Sequence, residues 1–230
     1  MIKIRAFKAI DDNESCQKFV EGHMRVLKNF GITMITSANV EWFADPDTYV
    51  ITAESMDDGR VLGGARVQVA RGKYPLPIEK AVTELDDSIH DVVKEYIPQG
   101  VAELCGLWNS REIAGMGIGS VFLTRTAVSI APQIGIKSMF ALCAAYTVQM
   151  AQHAGFQIAT FLGNNGTFYY PKDDLIASAM LLYDINDLSF ASEAERNEIE
   201  SLRQSPVQIK TEEGRRGAFD IFYELQLPIF

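Results

Sequence analysis

Seven residues near the middle of the chain, Ala114-Gly115-Met116-Gly117-Ile118-Gly119-Ser120, separate a strand-like apolar run from a helix-like one. That order is a device for binding phosphate. Glycines let the backbone approach an anion closely, and the unpaired N–H groups of a helix's first turn meet it, helped by the helix dipole. The expected donors are the N–H groups of Gly115, Met116, Gly117, Ile118, Gly119 and Ser120. A bare strand-to-helix turn is the plain alternative, but three glycines at alternate positions exceed what such a turn needs. Just upstream, Glu103 is the one carboxylate in the apolar stretch 101–109. Desolvation there makes a carboxylate a better proton acceptor, which suits a general base. The structural alternative is a buried glutamate paired with an arginine, for which Arg66 and Arg125 are candidates.

Other chemistries fit poorly. A P-loop ends in Gly-Lys-Ser/Thr, whereas this turn ends Gly119-Ser120-Val121. A Rossmann turn needs G-x-G-x-x-G and an acidic residue at the end of the next strand; here the spacing is G-x-G-x-G and that strand ends Cys143-Ala144-Ala145-Tyr146. His23, His90 and His153 fall in separate elements without an i, i+4 partner of ligand type, so no metal is expected. Ser88-Ile89-His90 sets a hydroxyl near an imidazole, but adjacency in sequence is not triad geometry. Cys16, Cys105 and Cys143 lack C-x-x-C spacing and sit in apolar or helical contexts, as small packed hydrophobes do.

The elements that must position these residues are set by periodicity. Residues 2–10 alternate as a strand, and Asp11 to Asn13 offer caps to a helix that ends before Gly31. A second, shorter helix is expected over 34–43, closed by Asp45-Pro46-Asp47. Residues 49–55 and 61–70 flank Met56-Asp57-Asp58-Gly59-Arg60, the clearest hairpin signal in the chain. Residues 71–100 hold three prolines and an acidic cluster and read as an insertion with one or two short helices. After the strand 101–109 come the glycine turn and a helix over 120–130, a strand over 138–144, a helix over 146–154 capped by Gly155, and a strand over 156–162. This alternation predicts parallel neighbours and buried elements. A further strand over 176–185, a charged helix over 191–204 and a last edge or covering strand over 219–227 complete the chain.

Composition narrows the partners. The chain has 230 residues, 47% hydrophobic and 22% charged, with a formal net charge of −9. An acidic whole argues against a general nucleic-acid binder or an anionic membrane partner. The uncharged stretch 138–171 is broken by Gln149, Gln152, His153, Gly155 and Gln157, so no membrane span is expected. The N-terminal segment reads as a strand and not as a leader, and the expected location is cytoplasmic.

With strand, glycine turn and helix in this order, the chain resembles the GNAT superfamily of acyl-CoA N-acyltransferases, whose pyrophosphate motif runs Arg/Gln-x-x-Gly-x-Gly/Ala. The resemblance covers roughly 2–185 by element order, and Ala114 stands at the motif's Arg/Gln position. Asp45-Pro46-Asp47-Thr48-Tyr49, Gly63-Gly64-Ala65-Arg66, Tyr74-Pro75-Leu76-Pro77 and Glu103 resemble features of the autoinducer synthase and long-chain N-acyl amino acid synthase branch, although Glu103-Leu104-Cys105-Gly106 replaces that branch's Glu-x-Ser-Arg.

The resemblance implies an α/β (α+β) fold with a central mixed, twisted sheet flanked by helices. It implies a single domain over 1–230, with a core over 1–185, the insertion at 71–100 and a C-terminal helix–strand extension over 186–230. It further implies coenzyme A or acyl-CoA as co-substrate, or an acyl carrier protein as donor, and a small-molecule amine as acceptor. Glu103 would be the general base. Leu107, Trp108 and Asn109 would line the donor, with an N–H near Leu107 or Trp108 exposed to the thioester carbonyl by a bulge that Gly106 eases. The family's usual acid tyrosine is Ala151 here, which leaves Tyr146 as the substitute. A non-catalytic acyl-CoA-binding module of the same fold is the alternative, and a homodimer through a sheet edge is compatible with either.

Overall fold

A computed structural model describes residues 1–29, 31, 40–71, 74–116, 118–214 and 216–228. Most of the helix expected over 34–43 therefore lies outside the described residues, and its end, Glu41–Ala44, is a 3-10 turn. The chain divides into two compact units, each assembled from separate segments.

The first unit comprises Met1–Val67, Gly106–Ile130 and Ile199–Phe230. Strand β1 (Ile2–Lys8) lies antiparallel to β2 (Thr48–Ser55), which the Asp58-Gly59 turn connects to β3 (Val61–Val69). Gly59 takes φ +69°, as a turn of this kind requires. Helix α1 (Asn13–Asn29) starts where Asp12 Oδ1 accepts the Ser15 N–H at 2.9 Å. Its inner face carries Cys16, Phe19, Val20 and His23; Phe19 meets Trp42 and Trp108 edge-on. Cys16 donates its thiol to the Ala9 carbonyl, and burial pushes its pKa up to about 12, the inert packed thiol expected.

The C-terminal segment departs from expectation. Two strands form there: β9 (Val207–Gly214) and β10 (Gly217–Glu224) make an antiparallel hairpin, and β10 pairs parallel with β1 from Ile2↔Ile221 to Arg5↔Glu224. The last strand is thus interior to the sheet, with β9 outside it. A buried polar network explains the arrangement. Arg125, on the helix over 120–130, contacts Glu212 of β9 at 2.8 Å, and the Tyr223 hydroxyl of β10 donates to the same carboxylate at 2.7 Å. All three side chains are buried, and burial beside Glu212 raises the Tyr223 pKa.

The second unit comprises Gln68–Cys105 and Ala131–Glu198. Its helices α2 (Pro77–Val82) and α3 (Ile89–Tyr96) are the two short helices expected of the insertion. They are not an appendage: Leu76, Ile78, Val82, Ile89 and Val93 join Phe140, Leu162, Phe168 and Leu181 in one buried cluster. Strand β4 (Val101–Asn109) begins in this unit and pairs parallel with β5 (Ser138–Ala144). The next neighbour of β5 is antiparallel, however: β8 (Ile176–Leu182) pairs with β5 from Met139↔Leu182 to Ala144↔Ala177. The run expected as strand 156–162 shortens to β6 (Gln157–Ile158), because the chain turns at Gly163 (φ +53°), Asn165 (φ +50°) and Gly166 (φ +86°) into β7 (Thr167–Tyr169), which also pairs with β8. Among the described residues, no helix is long and apolar enough to cross a membrane.

Two stability experiments test this packing. Arg125→Met should cost about 3–5 kcal/mol in urea unfolding, because Glu212 is left buried without its cation, whereas Arg125→Met with Glu212→Leu should cost clearly less. His23 supplies the second. Burial, with the nearby Arg66 charge, pushes its pKa down from 6.5 to about 4. The unfolded chain therefore binds the proton more readily between those values, so the stability from neutral His23 is complete above pH 6.5 and declines towards pH 4. Relative to His23→Gln, the wild type should lose about 2 kcal/mol between pH 7 and pH 4.5; a constant difference would contradict this.

Candidate functional site

The strand leading to the glycine turn is interrupted. Near one end Ala70 N–H donates to Val101 C=O, and near the other Ser110 N–H donates to Leu62 C=O; eight residues along β3 are matched by nine along β4. One extra residue in β4 is a β-bulge, and Gly106 at φ +58° is the residue able to take it without strain. The ladder to β5 also ends before this point, at Leu104↔Ala141. Because Ser110 turns its N–H towards β3, alternation turns Trp108 the same way and directs the N–H of Leu107 to the opposite edge. Of the two residues expected to present a free N–H, the backbone therefore favours Leu107. The Trp108 side chain is committed to the core, where its ring fills the space a side chain at Gly22 would need.

The glycine turn is more ordered than its sequence suggests. Ser110 caps a short helix, α4 (Arg111–Gly115), by accepting the Ile113 N–H, so Ala114 and Gly115 are helical and not part of an open loop. Gly117 lies outside the described residues. Met116 N–H and Ile118 N–H donate to carbonyls of α4. With its amide oriented so that both ends are satisfied, Asn109 Oδ1 accepts the Ser120 N–H at 3.0 Å and so caps α5 (Ser120–Ile130), while Nδ2 donates to the Trp108 carbonyl. Gly63 makes room for that amide, since a Cβ there would come within 2.4 Å of the amide's nearer end. No described residue accepts the N–H of Gly119 or of Val121. The predicted cradle is thus narrower than six donors. Gly115 and Gly119 have ordinary negative-φ backbones, and a Cβ at Gly115 would meet nothing within 4 Å and at Gly119 only Val121 at 3.9 Å. Neither packing nor backbone strain in this chain calls for glycine at those two positions.

In the second unit, Glu103 is 2% exposed and its Oε2 accepts the Ile78 N–H at 2.6 Å. Pro77, at the first position of α2, has no N–H, which makes Ile78 the first donor of the helix. Cys143 lies near enough for the Glu103 charge to add to the effect of burial, which raises the thiol's pKa to about 11. Arg125, one arginine considered for Glu103, is engaged with Glu212, and the guanidinium of the other, Arg66, lies 4.8 Å over the Trp42 ring. Tyr146 is 83% exposed, in a 3-10 turn ahead of α6 (Val148–His153), so its hydroxyl stands in solvent. Ile78 as a partner of Glu103 went unrecognised in the sequence; the Leu76-Pro77 start of a short helix was the only local signal. His90 makes no pair with Ser88 and instead contacts Glu79 and Thr83. No cluster of three His, Cys, Asp or Glu side chains among the described residues could hold a metal ion.

No protein-family model matches the chain, and no curated protein matches its sequence. Solved structures do match. FeeM, an N-acyl amino acid synthase from uncultured soil microbes, aligns with 11% identity and a TM-score of 0.62, over 86% of this chain and 98% of that one. MesI, a CoA-dependent acyl-homoserine lactone synthase, aligns with 14% identity and a TM-score of 0.54, over 86% and 95%. An acyl-CoA N-acyltransferase from Pseudomonas aeruginosa aligns with 13% identity and a TM-score of 0.53, over 78% and 98%. At such identities the likeness speaks to architecture alone, and it agrees with the mixed sheet flanked by helices: the chain has a GNAT-like fold, similar to those of N-acyl amino acid and acyl-homoserine lactone synthases.

Proposed function

We propose that this protein is an N-acyltransferase that moves an acyl group from acyl-CoA, or from an acyl carrier protein, to the amine of a small molecule such as an amino acid derivative. The observation that carries the reading is the bulge at Gly106, with an unladdered strand edge after it and two glycines at 115 and 119 that the chain itself does not require. Space without a side chain beside free N–H groups suits a phosphate-bearing donor. The amine nitrogen attacks the thioester carbonyl, Glu103 takes the proton that nitrogen sheds, and the Leu107 N–H donates to the oxyanion. Collapse breaks the C–S bond, and Tyr146 protonates the departing thiolate. The products are an amide and a free thiol.

A second reading has its own support. Ala114 removes a side-chain donor, and Met116, Ile118 and Ser120 have committed their N–H groups within the chain. Weaker capture of pyrophosphate suits a carrier-protein donor, or a binding module without turnover.

A thermal-shift panel of coenzyme A, acetyl-CoA, a long-chain acyl-CoA, NAD and ATP separates donor classes, and the acyl-CoA series should raise Tm while NAD and ATP should not. In a thiol-release assay with a long-chain acyl-CoA and a panel of amino acids, Glu103→Gln should lower kcat by roughly 10²–10⁴-fold while leaving the thermal shift intact. Binding without thiol release in the wild type supports the binding-module reading instead.

A further inference from the structure

The insertion contributes no residue to the chemistry proposed above, yet it holds the carboxylate on which that chemistry turns. Ile78 N–H meets Glu103 Oε2 at 2.6 Å, and Ile78 is in the first turn of α2. Glu79 fastens that turn from within the insertion. Glu79 Oε2 accepts the Leu76 N–H at 2.6 Å, which closes the start of the helix on the residue before Pro77. Glu79 Oε1 meets His90 Nδ1 of α3 at 2.7 Å, and His90 Nε2 meets the Thr83 hydroxyl at the far end of α2 at 2.8 Å. Thr83 in turn donates its hydroxyl to the Glu79 carbonyl. The imidazole therefore bridges both ends of a six-residue helix to the helix beside it. A helix this short has little stability of its own and depends on such contacts for its shape. Glu79 is 7% exposed, so its bonds are made largely away from competing water, whereas the His90 side chain is about half exposed.

We propose that Glu79 and His90 are positioning residues for Glu103: by pinning the first turn of α2 they hold the Ile78 N–H on the Glu103 carboxylate, fixing its orientation and favouring its ionised form. The geometric part stands on these contacts alone, and the catalytic meaning rests on Glu103 being the base of the proposed transfer. The arrangement assigns the insertion a task that its sequence, an acidic and proline-rich segment, does not announce.

The test reads Glu103 directly, in the full chain and without donor or acceptor. Glutamate labelled with 13C at the side-chain carboxyl gives a titration curve for each residue, and Glu103→Gln identifies the Glu103 signal by its loss. Glu79→Gln and His90→Ala should each raise the Glu103 midpoint by about one pH unit, since a donor to the charged form is loosened. His90→Gln, whose amide can still donate to Glu79, should stay within about 0.3 pH units of wild type, a rescue that general loss of packing would not give. Should Glu79→Gln fail to fold, Thr83→Val removes the far anchor of the ring together with the hydroxyl's bond to the Glu79 carbonyl, leaves both Glu79 carboxylate contacts in place, and should give a smaller rise in the same direction. Midpoints unchanged in Glu79→Gln, His90→Ala and Thr83→Val overturn the proposal, and so does a His90→Gln midpoint as high as that of His90→Ala. A raised midpoint in a protein that transfers no acyl group overturns the transferase reading and leaves the positioning assignment in place.

Discussion

The one extra residue in β4 is the constraint on which the rest of the candidate site depends. A regular strand over 101–109 would spend its N–H groups on its two neighbours and leave nothing to offer a ligand. The bulge at Gly106 changes the facing of the strand after it, so that Trp108 drives its ring into the core beneath Gly22 while Leu107 turns its N–H the other way. Any side chain at position 106 would have to adopt φ +58° and would come within 3.4 Å of the Phe19 ring. The same residue thus fixes backbone direction, core packing and the availability of a donor.

Beyond the bulge the chain is held firmly. Asn109 caps α5, Gly63 makes room for that amide, and Arg125 in the body of α5 is tied through Glu212 and Tyr223 to the C-terminal hairpin. A helix fixed at its start and in its middle gives N–H groups of fixed direction, which a ligand then meets without an ordering cost. The cost lies in supply: each N–H that caps or closes α4 and α5 internally is one fewer for an anion. Gly119 and Val121 are the two that this compromise leaves among the described residues.

Much of the architecture was legible from local signals because those signals had local causes. The Asp58-Gly59 hairpin, the Asp12 cap on α1 and Gly155 at φ +100° after α6 each came from one residue's conformational preference. The bulge was expected from the family resemblance and not from a local pattern, and Gly106 accommodates it through its tolerance of positive φ. The failures have physical reasons as well. β9 escaped notice because its polarity is inverted: Val207 and Ile209 face solvent at 53% and 63% exposure, while Glu212 is buried against Arg125. The apolar run after Gly155 looked like a full strand, but beyond Ile158 only the Ala159 N–H still reaches β8, at the Ala179 carbonyl, and Leu162 is buried where the chain bends. The glycines at 115, 117 and 119 suggested an open turn, which hid the Ser110 cap and the short helix α4 behind it. The hold of Ile78 on Glu103 spans 25 residues and depends on how α2 packs, which no local pattern encodes.

The central claim is that the chain binds the phosphate-bearing part of coenzyme A on the turn between β4 and α5. Backbone amide chemical-shift mapping, with 15N-labelled protein titrated with coenzyme A, tests it most directly. The largest shifts should fall on Leu107, Gly119, Ser120 and Val121, with saturation at a single Kd. Saturable shifts confined to other elements, or none at millimolar coenzyme A, would contradict it.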